Sequence, residues 1–129
     1  MTYYNAKVIE SSFEKAEEQV REKLSKVGFG VLTEINLQEK FNEKLGVDFR
    51  RYKILGACNP QFAYQAVKLE DKIGTLLPCN VVIQELDNSK IEISVINPIA
   101  SMTVVDNKEV EEIANDVTIL LRNFIESID

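Results

Sequence analysis

Apolar positions along this chain follow two periods, and the switches between them divide it into elements. Over residues 3–10 they alternate, with Tyr4, Ala6 and Val8 on one face, which predicts a short strand. From Phe13 they recur at three and four, through Ala16, Val20, Leu24 and Val27. Ser11 and Glu14 have capping-box spacing ahead of that run, and Gly28 offers a stop behind it, so this segment reads as an amphipathic helix. Alternation returns through Phe29, Val31, Thr33 and Ile35. Asn36 and Glu39 then repeat the capping spacing before a short helix carrying Leu37, Phe41 and Leu45, closed by Gly46.

A third strand is predicted over about residues 49–58, with Tyr52, Ile54, Gly56 and Cys58 sharing an apolar face and Asn59-Pro60 ending it. Residues 61–75 are helical in pattern, with Phe62, Ala63, Ala66, Leu69 and Ile73 as the stripe and Gly74 as the break. Val81-Val82-Ile83 and Ile91, Ile93, Val95 flank the polar turn Asp87-Asn88-Ser89 and predict an antiparallel hairpin. Asn97-Pro98 ends the last strand, and Asp106 with Glu109 caps a long helix whose stripe runs from Val110 to Ile128. The order is βαβ(α)β(α)ββα, an α+β pattern. No repeat, linker or low-complexity segment interrupts it, so residues 1–129 read as one domain.

Charge narrows the partners. Asp and Glu number 21 against 15 Lys and Arg, a formal net charge of −6, which repels phosphate backbones. The one dense basic stretch, Arg50, Arg51 and Lys53, is split between the faces of a strand, so nucleic acid is not an expected partner. No run of eighteen apolar residues encodes a membrane span, and the N-terminus lacks the pattern of an export signal. Two cysteines in such a chain suit a reducing compartment, and the expected location is the cytoplasm.

Histidine is absent, which removes the commonest general acid–base group and metal ligand together. The five glycines form no phosphate-binding loop. One local feature stands out: Cys58-Asn59-Pro60 leaves a strand and Pro78-Cys79-Asn80 enters the next. If those strands are antiparallel, both thiols lie at one end of the sheet, and the following hairpin brings Asn97-Pro98 there too. Cys58, Asn59, Pro78, Cys79, Asn80 and Asn97 then line a pocket rim, with Tyr64 on the neighbouring helix as a further candidate. Cys58 and Cys79 are the candidate ligands for a soft metal, or a redox pair. The plainer reading is that free cysteines are core residues and that Asn before Pro is a turn signal. For Arg50, Arg51 and Lys53 the corresponding plain reading is the solvated decoration of an edge strand.

The run Ile54-Leu55-Gly56-Ala57-Cys58-Asn59-Pro60, then Phe62-Ala63-Tyr64, then Ile73-Gly74-Thr75-Leu76-Leu77-Pro78-Cys79-Asn80-Val81, resembles the prokaryotic family called domain of unknown function 302. The resemblance also takes in the opening of the first helix, Gly28-Phe29-Gly30-Val31 and the last helix. It implies a curved, mainly antiparallel sheet with helices packed on one face, similar in type to the TATA-binding-protein-like arrangement; a ferredoxin-like fold is the alternative. No catalytic residue is carried over from it, and it leaves any cofactor unknown. The sequence therefore reads as a non-catalytic binding domain for a small ligand or metal near Cys58 and Cys79. The alternatives are a homodimeric interaction module and a Cys-dependent redox sensor.

Overall fold

The computed structural model describes residues 2–129. Five strands form a single sheet: β1 (Tyr4–Glu10), β2 (Gly30–Asn36), β3 (Tyr52–Cys58), β4 (Cys79–Leu86) and β5 (Lys90–Ile96). Their spatial order is β1-β5-β4-β3-β2 and every neighbouring pair is antiparallel. β1 and β2 are thus the two edges, three strands apart, which is not the split βαβ of a ferredoxin-like fold. The hairpin β4–β5 forms around Asp87–Ser89 as the polar turn required.

Helix α1 (Phe13–Lys26) connects the two edges and lies across one face of the sheet with the long terminal helix α5 (Lys108–Ser127). Phe13, Ala16, Val20 and Leu24 of α1 and Leu121, Phe124 and Ile125 of α5 are buried against Leu55, Val81, Ile83, Ile91, Ile93 and Val95. Each such fully buried Val, Leu, Ile or Phe contributes roughly 1.5–3 kcal/mol, so this layer is the main source of stability. Lys7 points to the same side, where its ammonium donates to the Glu126 and Ile128 carbonyls and completes the C-terminus of α5.

Local differences from the expected pattern have local causes. The caps of α1 and α5 are Ser12 and Asn107, one residue beyond Ser11 and Asp106; Ser12 accepts from Lys15 N–H, and Asn107 from Glu109 and Val110 N–H. The regular alternation expected through β2 is broken by a β-bulge. Val31 pairs with Ala57 and Thr33 with Gly56, leaving Leu32 as the extra residue. In β3 the core face is Leu55 and Ala57, whereas Tyr52 and Ile54 point to the open face. Helix α3 (Pro60–Leu69) stops at Leu69, and a 3-10 turn over Asp71–Leu76 replaces the rest of the expected helix. A short α4 (Pro98–Ser101) follows β5.

β3 is internal, so Lys53 within it and Arg50 just before it do not decorate an edge strand as expected. Arg50 serves the open face, where its Nε donates to Gln84. Lys53 serves the helix face, bridging Glu17 of α1 at 2.8 Å and Glu34 of β2 at 2.6 Å. Burial alone would raise Glu17, but the Lys53 and Arg21 hydrogen bonds outweigh it and hold it below the usual carboxylate range. Burial would lower Lys53, and the two carboxylates outweigh that and hold it above the usual lysine value. The depressed Glu17 contributes stability above its ordinary value of 4.5, lost as pH falls through the folded value; the raised Lys53 contributes stability below 10.5, lost as pH rises through its own. Lys53→Met should therefore cost about 1 kcal/mol at neutral pH in urea unfolding and flatten both flanks of the stability–pH curve.

Candidate functional site

The site begins where β3 ends. Cross-strand pairing sets Ala57 opposite Cys79, so Cys58 and Cys79 are neighbours at one end of the sheet. The chain then turns directly into α3, whose first turn is set by Asn59: its Oδ1 accepts from Phe62 N–H at 3.3 Å, and Pro60 occupies the first helical position. The Asn59 amide also packs on Gly28. A Cβ there would lie 3.0 Å from Asn59 Nδ2, and a φ of +86° is a conformation that only glycine adopts at little cost.

Between this sheet end, α3 and the first turns of α5 lies a cavity of about 330 Å³. It exists because the facing elements present small side chains: Ala57 from β3, Ala63 and Ala66 from α3, and Ala114 from α5. Phe29, Phe62, Leu77, Met102 and Val110 complete much of the wall. The bulge brings Leu32 and Thr33 to the cavity, with Leu32 largely exposed to solvent. Gly56 lets these pieces close up, since a Cβ on it would sit 2.1 Å from Thr33 Oγ1 and 2.7 Å from Pro78 Cγ.

Electrostatically the cavity is neutral. No Asp, Glu, Lys or Arg lines it, and its only titratable groups are the two thiols. Burial, with the nearby Cys58 adding to it, pushes Cys79 up to about 11; burial also pushes Cys58 up. Both cysteines are free and remain thiols at neutral pH, where thiolates are the form that attacks or binds metal. Among the described residues no three His, Cys, Asp or Glu side chains gather where they could hold a metal ion. Iodoacetamide at pH 7.5 should accordingly modify Cys58 more slowly than a free cysteine and leave Cys79 unmodified until the protein is unfolded, as peptide mass mapping would show.

Of the residues singled out from the sequence, Cys58, Asn59, Pro78 and Cys79 line this cavity and Tyr64, Asn80 and Asn97 do not. Tyr64, the further candidate on the neighbouring helix, is 66% exposed, with the Lys68 ammonium 4.8 Å from its ring centroid. Asn80 lies on the opposite face of the sheet, beside Val82 and Gln84. The Asn97 amide donates to the Thr2 carbonyl, and it is its neighbour Pro98 that reaches the cavity. The alanines and Met102 went unnoticed as site residues. A recurrence of small residues within two apolar stripes, at 63, 66 and 114, is the sequence signal that marks them.

Fold and site together define an α+β open-sheet domain with an apolar cavity at one end of the sheet. The chain belongs to the family described as Domain of unknown function DUF302, whose model matches residues 4–128. It is similar over its whole length to a solved structure described as uncharacterized conserved protein DUF302 from Bacillus stearothermophilus, with 27% identity, a TM-score of 0.91 and 100% of both chains covered. Neither description states a function. No curated protein matches the chain. Among the described residues no helix is long and apolar enough to cross a membrane.

Proposed function

We propose that this protein is a non-catalytic binding domain that holds a small, uncharged, apolar molecule in the cavity between β3, β4, α3 and α5. The observation that carries this reading is the lining: about 330 Å³ bounded by alanine, aliphatic and aromatic carbon and two neutral thiols, with Thr33 and Asn59 as the other polar residues and no ionised side chain. Cavities of this size and polarity are where small ligands bind, with burial of apolar surface as the driving force. A charged ligand would lose hydration there without finding a counter-charge. With the thiols protonated and no third metal ligand beside them, an organic molecule is favoured over a soft metal ion and over a redox-sensing pair. Free thiols suit a reducing compartment, and we assign the domain to the cytoplasm.

The test is a titration with N-phenyl-1-naphthylamine, an uncharged fluorophore that brightens in apolar surroundings. Saturable enhancement at one molecule per chain, insensitive to salt, is the expected result. Absence of saturable binding, or equal binding of an anionic naphthalenesulfonate, would count against the reading.

A further inference from the structure

The sheet has a second face, and its composition departs from the polar alternation of a solvated one. The strand pairings place its side chains on a grid. One row crosses all five strands as Ala6, Ser94, Val82, Ile54 and Ile35. The adjacent rows hold Tyr4 beside Ile96 and Asn80 beside Gly56, the last covered by Thr33 and Pro78, and, on the other side, run Val8, Glu92, Gln84, Tyr52. Neither α1 nor α5 covers this face, and Tyr4, Val8 and Ile35 remain more than 40% exposed on it.

A second element is unpartnered on the same side. Helix α2 (Leu37–Leu45) buries none of its residues, and its Leu45 is 70% exposed. It is tied to the open face through a stack of rings, with Phe41 5.3 Å from Phe49 and Phe49 6.2 Å from Tyr52, and through Gln38, whose amide donates to the Phe49 carbonyl. An amphipathic helix and a half-apolar sheet face left open side by side have the makeup of an interface rather than of a solvated surface.

From these features we infer that the open face is the surface on which a second copy of this chain docks, sheet against sheet about a two-fold axis. Charge favours a like copy. The whole chain carries −6, yet this face holds Glu10 and Glu92 against Lys90 and Arg50, so two copies of it meet without net repulsion. Extent does so as well. Five strands at ~4.8 Å spacing and a length of roughly 20 Å give about 480 Å² per copy, or about 1,000 Å² for the pair before the aromatic rim and α2 are added, which reaches the threshold for a specific interface. A two-fold contact also uses the same patch twice, so a face with mixed charge and a central apolar row is self-complementary.

Sedimentation equilibrium between 1 and 100 µM tests this on the intact chain. The wild type should sediment as a dimer, and Val82→Lys and Ala6→Lys, each on the open face away from the core, should sediment as monomers with unchanged circular dichroism. Tyr64→Lys, exposed on α3, which packs against α5 and not on the open face, should remain dimeric. A wild-type monomer across the range would overturn the inference and leave the face for another occupant. Loss of the dimer in Tyr64→Lys, or its persistence in both open-face variants, would overturn it too.

Discussion

Gly56→Val is expected to lower stability by about 3 kcal/mol, because overpacking a fully enclosed position forces its neighbours apart. Gly56 is buried in an internal strand, and even a single added carbon would fall 2.1 Å from Thr33 Oγ1 and 2.7 Å from Pro78 Cγ. The Thr33 hydroxyl can rotate away, whereas the Pro78 ring is held by the chain entering β4. Gly56→Ala should therefore cost less than Gly56→Val, and pairing it with Thr33→Ala should recover part of the loss but not all. Urea unfolding of the four proteins gives the coupling directly. Full recovery would assign the whole conflict to Thr33, and no loss in Gly56→Ala would show that the bulge side of the cavity is looser than its geometry implies.

The second large effect is on binding. Ala114→Leu places three more carbons into the cavity from α5, where Ala114 is buried and forms part of the wall. Affinity for N-phenyl-1-naphthylamine should fall more than tenfold. Stability of the ligand-free protein should hold or rise by about 1 kcal/mol, since filling a cavity is among the commoner stabilising changes. This opposition separates a cavity kept open for a ligand from a packing defect. A fall in both binding and stability would mean that the site has no room to give.

Much of this architecture was legible in the sequence because the relevant signals are local. Asn36 with Gly46 marked both ends of α2, Asp87-Asn88-Ser89 marked the hairpin, and the antiparallel run of β3 into β4 was enough to bring Cys58 and Cys79 together. What was not legible depends on which face of a strand meets the helices. Tyr52 and Ile54 are as apolar as Leu55 and Ala57, and only the packing of α1 and α5 decides that the second pair is inside. The bulge at Leu32 left no mark in composition, and it moves Thr33 off the face that regular alternation would give it. Tyr64 is next to Ala63, which lines the cavity, yet one position along a helix rotates a side chain by about 100°, enough to turn it to solvent. The cavity itself is an absence of side-chain volume, shared among residues far apart in the chain.

The most direct test of the central claim is a methyl-resolved NMR titration of the protein with N-phenyl-1-naphthylamine. The Ala57, Ala63, Ala66, Ala114 and Met102 methyls should shift together and saturate at one equivalent, while those of Ala6, Val8 and Val82 on the open face stay in place. Shifts confined to the open face, or none at the cavity alanines, would contradict the assignment of the cavity as the binding site.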